Sequence, residues 1–207
     1  PLSLFNAVGL AYWVYFLISA LHSALLMFVP LFLQDMHGIS PLYVGYLSLV
    51  FSVGWTIGSL SVSGVSGFSE RLATVCGMVA ATIFILVFLW AVIIGSLFWL
   101  TVSITLVGIS VGTTNVLMIS FGMSVAKDGE ESITASSMQT IRSLGVAYGA
   151  AAAGLIANMA GLATGTDINT LENVAIWVLG ATALTPALCA IFCLRAVTWG
   201  WQFRRNK

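Results

Sequence analysis

The strongest evidence for the fold is one uncharged stretch of 55 residues, LATVCGMVAATIFILVFLWAVIIGSLFWLTVSITLVGISVGTTNVLMISFGMSVA (residues 72–126). It contains no Lys, Arg, Asp or Glu, and Gly95–Leu97 divides it near its middle. A helix needs roughly 20 apolar residues to cross the hydrocarbon core of a bilayer, where its backbone groups must be hydrogen-bonded internally. The stretch is therefore long enough for two membrane-spanning helices joined by a short turn.

The composition of the whole chain supports the same class. The 207 residues are 59% hydrophobic and only 7% charged, whereas soluble domains are about 25% charged. Seven basic residues balance seven acidic ones, so the chain lacks the excess of positive charge typical of nucleic-acid binders. We therefore exclude a soluble domain and expect a lipid bilayer, and no nucleic acid, as its surroundings.

The uncharged runs and their polar interruptions predict six membrane-spanning helices, and hence an all-α membrane protein. The predicted spans are Val8–Leu33, Leu42–Gly64, Leu72–Ile94, Phe98–Val125, Ile133–Leu162 and Val174–Val197. The chain opens with Pro1, and its first span lacks the basic region that precedes the apolar core of a signal peptide. We expect it to be a piece of a longer protein.

The basic residues predict the orientation. With six spans, both termini and the second and fourth loops lie on one side. That side carries Arg71, Lys127, Arg195, Arg204, Arg205 and Lys207, and the opposite loops carry no basic residue. Cytoplasmic loops are enriched in Lys and Arg, so we expect both termini in the cytoplasm and the protein in the cell (inner) membrane. Trp90 and Trp99 near one interface, and Trp199 and Trp201 near the other, fit an aromatic belt.

The first three spans resemble the last three. A shift of 91 residues matches Gly54 with Gly145, Gly58 with Gly149, His22-Ser23 with Thr113-Thr114, Met27 with Met118, and Gly38 with Gly129. Because each unit has an odd number of spans, the second unit would be inverted relative to the first. Inverted repeats are typical of secondary transporters, which bind substrates near mid-membrane between the repeats. We expect repeat units at residues 8–94 and 98–197.

The composition of the spans predicts which helices face lipid. The third and sixth spans are mostly Ile, Leu, Val, Phe and Trp, and we expect them to face lipid. The other four carry polar residues that must face protein or water, as well as Gly-x-x-x-Gly pairs that allow close helix contacts. Cys76, Cys189 and Cys193 all lie within spans, where we interpret them as small packing residues.

Several motifs resemble the C-terminal half of permeases of the major facilitator superfamily (MFS). The segments MFVPLFLQ (27–34) and GISPL (38–42) resemble the start of that half, and GWTIGS (54–59) fits its next helix. The segment GFSER (67–71) resembles the cytoplasmic Gly-x-x-x-Asp-Arg loop motif, with Glu70 in place of Asp. The segment ASSMQTIRSLG (135–145) resembles the penultimate helix of the bacterial fourteen-helix drug:proton antiporters. The antiporter signature Gly-x-x-x-Gly-Pro, which belongs to the other half, is absent.

The resemblance implies that residues 1–207 form one of two six-helix halves around a central cavity. The partner would be an N-terminal half in the same native chain, or a second copy in a homodimer. No Asp or Glu lies inside a predicted span, so a proton-coupled pump would take its membrane carboxylate from the absent half. The resemblance also implies that Glu70 and Arg71 form a gating ion pair.

His22, near the middle of the first span, is the first candidate for the transport pathway. Its imidazole titrates near neutral pH and can relay a proton; the alternative is a neutral histidine hydrogen-bonded to a neighbouring helix. Ser19 and Ser23 lie within one turn of it, and Tyr15 is a candidate aromatic wall. Pro30 removes a backbone hydrogen bond and predicts a kink at the outer end.

Arg142, nine residues into the fifth span, is the second candidate. It either extends towards the inner interface or contacts the partner half or an anionic group of the substrate. Asn115 and Gln139 are candidate hydrogen-bonding residues for a substrate, with structural hydrogen bonding as the alternative.

Enzymatic function is the least favoured class. Gly64-Val65-Ser66-Gly67 matches the nucleophile motif of rhomboid-type membrane proteases, but His22 and His37 both precede the serine, whereas that family's base follows it. No cluster of metal ligands is present, and we expect no cofactor. We predict a secondary active transporter that exports drug-like or amphipathic molecules in exchange for protons by alternating access. The scarcity of charged wall groups favours apolar or weakly cationic substrates. The alternative is an orphan half that acts as a structural or regulatory subunit.

Overall fold

The computed structural model describes the backbone of residues 7–125, 129 and 131–205, and the side chains of 7–125, 129 and 132–198. This part of the chain forms six long helices and no strand. They are α1 (Ala7–Leu31), α2 (Pro41–Ser61), α3 (Phe68–Ile94), α4 (Leu97–Ser124), α5 (Glu131–Met159) and α6 (Ile168–Arg205). Each is long and apolar enough to cross a membrane, which confirms the predicted all-α membrane fold.

Helices α3 and α6 begin several residues before their predicted spans. Helix α6 begins at Ile168 rather than Val174, because the Asp167 carboxylate accepts hydrogen bonds from the Thr170 hydroxyl (2.6 Å) and amide (3.3 Å). These bonds lower the pKa of the Asp167 carboxyl below its ordinary value. Helix α3 begins at Phe68 rather than Leu72, without a side-chain cap, and so includes the charged pair that follows. Hydropathy locates the apolar middle of a span but does not determine its ends.

The C-terminal end of α1 departs from a regular α-helix near Pro30, whereas the predicted kink stays a prediction. The helix continues through Pro30 and then changes into a π-helical turn at Phe32–Met36. Proline has no amide hydrogen to donate, and π-helical turns are a common response to an interrupted helix ladder.

The helices pack in a pattern with internal symmetry. The most extensive contacts join α2 with α4, α3 with α4, α1 with α5, α3 with α6, and α1 with α6. Exchanging α1 with α4, α2 with α5 and α3 with α6 leaves this set of pairs unchanged. Two related three-helix units would produce this arrangement, although the bounds of the two units stay a prediction.

Glycine pairs make the two closest crossings possible. At the α2–α4 crossing, a Cβ at Gly58 would lie 2.8 Å from the carbonyl carbon of Ile109, and one at Gly112 would lie 2.9 Å from the Cα of Trp55. The Ser59 hydroxyl bridges the same crossing by donating to the Gly112 carbonyl (3.3 Å). At the α1–α5 crossing, a Cβ at Gly149 would lie 2.5 Å from the Ala20 carbonyl oxygen. The Gly-x-x-x-Gly motifs thus lie where helices approach each other most closely.

These contacts correct the register of the repeat. The glycines of α2 pack on Thr105 and Ile109 of α4, and those of α5 pack on Phe16 and Ala20 of α1. These partners are 89 residues apart along the chain, rather than the 91 that relate the glycines themselves. The match of His22-Ser23 with Thr113-Thr114 is therefore displaced by two residues, because the loops between the helices differ in length.

Burial divides the helices into three groups. In α1 and α4, 61% of the most apolar 18-residue stretch is buried. The corresponding share is 28% in α2 and 22% in α5, and it is intermediate in α3 and α6. The exposed faces of α3 and α6 are apolar, as at Ile83 and Leu184, and suit lipid. The exposed faces of α2 and α5 mix apolar residues with polar ones such as Ser52 and Gln139. Such a mixed surface suits contact with protein or water.

The predicted interfacial tryptophans near the α3–α4 turn lie side by side. The rings of Trp90 and Trp99 meet edge to face with centroids 5.9 Å apart. The side chains of Trp199 and Trp201 lie outside the described residues, as do those of the basic residues Lys127, Arg204, Arg205 and Lys207. The side of the membrane on which the termini lie therefore stays a prediction.

Candidate functional site

A cavity of about 490 Å³ lies between α1, α2, α4 and α5. We call it the central cavity. Its lining consists of Tyr15, Ile18, Ser19, His22, Phe51, Ser52, Trp55, Thr56, Asn115, Ile119, Arg142 and Val146. The closely packed pair α1–α5 forms one side of the cavity, and the pair α2–α4 forms the other. Space remains between the two pairs because α1 has few contacts with α2, and α4 has few contacts with α5.

Five of the predicted pathway residues line this one space. Tyr15, Ser19 and His22 come from α1, Asn115 from α4 and Arg142 from α5. They come from three helices, and the contacts of α1 with α5 and with α4 bring them together. Their roles in transport stay a prediction.

His22 is held by aromatic rings rather than by hydrogen bonds. Its ring stacks on Phe51 with centroids 5.3 Å apart and 28° between the planes, and it meets the edge of Trp55 at 6.0 Å. Its Nδ1 atom is buried and has no hydrogen-bond partner in the described part of the chain. The alternative interpretation of His22, a neutral histidine hydrogen-bonded to a neighbouring helix, therefore has no support at this nitrogen. An unprotonated Nδ1 would leave the ring proton on Nε2.

Among the described residues that line the central cavity, Arg142 is the only charged one. It is exposed on α5, and its charge is close enough to His22 to interact with it electrostatically. Asn115 on α4 is buried. A guanidinium offers five N–H donors, and the asparagine amide offers two donors and an acceptor. Together they form a wall that can bind the oxygen atoms of a guest molecule.

Two predicted residues lie elsewhere. The Ser23 side chain is buried against Gly149 of α5, and its hydroxyl donates to the Ala20 carbonyl at 2.9 Å. It therefore belongs to the α1–α5 crossing rather than to the cavity wall. Gln139 is exposed on α5 and does not line the central cavity. Both lie on the expected helices, but neither lines the central cavity.

Glu70 and Arg71 lie together in the first turn of α3. Both are partly buried, and both interact with other groups. Neither lines the central cavity, so a gating role would act at the end of the bundle. That role stays a prediction.

Comparison with known proteins now assigns the chain. The sequence profile of the Major Facilitator Superfamily matches residues 2–150, from before α1 to well into α5. The chain belongs to the Major Facilitator Superfamily. Among curated proteins, no sequence matches it. Members of this superfamily are transporters, so the six helices are an MFS-type half of a multi-pass membrane transporter.

The matched part of this MFS chain includes every residue that lines the central cavity. Three of those residues, Ser52, Trp55 and Thr56 of α2, are absent from the sequence-based candidates. Ser48, Ser52 and Thr56 recur every four residues and therefore share one helix face. That spacing, within an otherwise apolar span, is the signal that could have identified this wall.

A second, smaller space continues from the central cavity in this MFS half. We call it the α1–α2 groove, and it is lined by His22, Leu25, Leu26, Val29, Pro30, Leu47, Ser48, Phe51 and Ile104. It shares His22 and Phe51 with the central cavity. These two rings therefore stand at the boundary between a polar space and an apolar one.

Proposed function

We propose that this chain is one half of a secondary active transporter that moves amphipathic small molecules by alternating access through the central cavity. The observation that carries the proposal is the polar wall of that cavity, enclosed between two tightly crossed helix pairs. Ligand sites of membrane transporters lie near mid-membrane, where helices of the two repeats meet. Here α1 and α2 of one unit meet α4 and α5 of the other.

A second half would complete the cavity. The exposed face of α5 carries Gln139 and Arg142, whose amide and guanidinium groups are costly to expose to lipid, and the exposed face of α2 carries the Ser52 and Thr56 hydroxyls. We propose that an N-terminal half of the same native chain covers them; a second copy of this chain is the alternative. The mass of the native protein in its own membrane separates the two, because the first predicts a band of about twice the 21.9 kDa of this chain or more.

We further propose export in exchange for protons, with His22 as the proton-binding group of this half. The four described carboxylates, Asp35, Glu70, Asp167 and Glu172, all lie near helix ends. His22 contributes the imidazole of the described cavity wall, a group that can bind and release a proton. A carboxylate in the second half would complete the relay.

Cysteine accessibility tests alternating access without knowledge of the substrate. In the intact native protein, with Cys76, Cys189 and Cys193 replaced by Ala, Ser52→Cys places one thiol in the cavity wall. Ser52 is exposed, and its hydroxyl bonds only to the Ser48 carbonyl of its own helix (3.0 Å), so the fold should tolerate the change. A membrane-impermeant maleimide should label it in both right-side-out and inside-out vesicles.

Two control positions calibrate the labelling. Asp167→Cys and Ser66→Cys lie in exposed loops at opposite ends of the bundle, so each should react from one side only, outside and cytoplasmic respectively. If Ser52→Cys reacts from a single side under all conditions, the bundle does not alternate. The interpretation as an orphan structural or regulatory subunit would then replace the transporter.

A further inference from the structure

We propose that the preferred substrate is an amphipathic anion, whose acidic group binds beside Arg142 and Asn115 while its apolar chain lies in the α1–α2 groove. This inference rests on the proposed transport function and specifies its substrate class. It departs from the weakly cationic substrates that the composition of the spans favours.

The charge of the cavity wall carries the first step. Arg142 lines the central cavity, and no described acidic side chain forms an ion pair with it. Glu131, on the same helix, precedes it by eleven residues, which is roughly 16 Å along the axis. A cation that is not neutralised in a partly enclosed space attracts anions and repels cations, more strongly than it would in bulk water.

The hydrogen-bonding groups around Arg142 suit an acidic head group. The guanidinium can donate two parallel hydrogen bonds to a carboxylate, sulfonate or phosphate. The Asn115 amide and the Tyr15 hydroxyl, which line the same cavity, can donate to further oxygen atoms. Charge-assisted bonds of this kind are roughly twice as strong as neutral ones.

The second step is the change of polarity along α1. Towards its first residues the lining is polar, with Tyr15 and Ser19, whereas towards Pro30 it is apolar, with Leu25 and Val29. Tyr15 and Pro30 are fifteen residues apart, roughly 22 Å along the helix. His22 and Phe51 join the two spaces. The α1–α2 groove encloses only about 30 Å³, so a hydrocarbon chain would lie along its open side, where Leu26 is 50% exposed. A molecule with a charged head and such a chain matches this sequence of surfaces.

The test compares two probes that share a decyl chain and carry head groups of opposite permanent charge. Decanesulfonate and decyltrimethylammonium keep their charges at every working pH, so a pH effect on the probe cannot contribute. Binding of each radiolabelled probe is measured to the intact native protein in lipid nanodiscs, with empty nanodiscs as the background. We expect decanesulfonate to bind at least about tenfold more tightly than the cation.

Matched variants separate local from general effects. Arg142→Gln should weaken decanesulfonate binding by at least about tenfold, or about 1.4 kcal/mol, and leave the cation unchanged or tighter. Arg142→Lys should retain only part of the affinity, because lysine keeps the positive charge but lacks the planar guanidinium that donates two parallel hydrogen bonds. Arg195→Gln is the control, because Arg195 is equally exposed but lies on α6, outside the cavity lining.

The apolar end has its own matched pair. Leu26 and Met27 are similarly exposed, at 50% and 55%, but only Leu26 lines the α1–α2 groove. Leu26→Ser should weaken both decyl probes by a similar factor of several-fold, whereas Met27→Ser should change neither. Since both side chains are exposed, neither variant should disturb folding.

The results distinguish this inference from the transport function. Preference of the wild-type protein for the cation, an equal loss of both probes in Arg142→Gln, or the same loss in Arg195→Gln would overturn the anionic substrate class. If, in addition, Ser52→Cys is labelled from both sides, the transporter stands with another substrate. Binding of neither probe above empty nanodiscs also overturns the inference, and one-sided labelling alone overturns the transporter.

Discussion

The contact between α1 and α5 is tested most directly by adding one methyl group at Gly149. An alanine Cβ there would lie 2.5 Å from the Ala20 carbonyl oxygen and 2.6 Å from the Ser23 hydroxyl oxygen. Ordinary contacts to a carbon atom lie near 3.5 Å, so the helices must separate by about 1 Å. The carbonyl belongs to the backbone of α1 and cannot rotate away as a flexible side chain does.

Gly154, on the same helix, provides the control. A Cβ added there has no other atom within 4 Å. Both substitutions gain the higher helix propensity of alanine, about 1 kcal/mol relative to glycine. The difference between them therefore isolates the cost of the clash, for which overpacking of a close contact gives about 1–3 kcal/mol.

We expect Gly154→Ala to raise the free energy of unfolding by up to about 1 kcal/mol, and Gly149→Ala to lie about 1–3 kcal/mol below it. The measurement is reversible unfolding of the intact native protein in mixed micelles with increasing SDS. If the two variants are equally stable, α1 and α5 do not cross at Gly149. The placement of His22 and Arg142 in one cavity would then lose its basis.

Three further predictions concern individual residues. His22→Gln should flatten the pH dependence of transport by the intact protein, because it removes the imidazole that would bind the proton, and an unchanged pH profile would exclude the proton relay. Thr170→Val should raise the pKa of the Asp167 carboxyl towards its ordinary value, as read from an NMR titration. Hydrogen bonding lowers this pKa in the folded state. The stability that the Asp167 carboxylate contributes is therefore present at neutral pH and is lost as the pH falls through that pKa. Gly95→Ala should destabilise the protein more than Gly38→Ala in the same unfolding assay. Both glycines have φ near +65°, but only a Cβ at Gly95 would meet another residue, the His37 imidazole, whose Nδ1 atom would lie 2.7 Å away.

The number of helices and the chemistry of their faces could be predicted from the sequence, because both depend on local composition. A span is recognised from about 20 consecutive apolar residues, and no tertiary contact changes that requirement. The N-terminus of α6 could not be predicted in this way. It depends on the Asp167–Thr170 cap, which extends the helix six residues beyond the apolar run on which the prediction was based.

The candidate site was predictable by helix but not by face. Ser19 and Ser23 are four residues apart, share a stripe of α1 and pack against Gly145 and Gly149 of α5 respectively, yet only Ser19 also lines the cavity. Which part of a stripe is covered depends on where two helices cross, and the crossing is set by residues on the partner. The polar stripe of α2 was overlooked for the opposite reason: its serines and threonine are individually ordinary, and only their spacing is informative.

The position of the cavity follows from the same glycines that bring the helices together. Gly58 and Gly112 hold α2 against α4, while Gly145 and Gly149 hold α5 against α1. Each crossed pair is therefore closely packed within itself, and space remains only between the pairs. Ser52 and Arg142, which line this space, are exposed, whereas Ile18, Phe51 and Asn115 of the same lining are buried. Changes at the exposed lining residues should therefore alter selectivity without loosening the helix crossings that hold the wall in place.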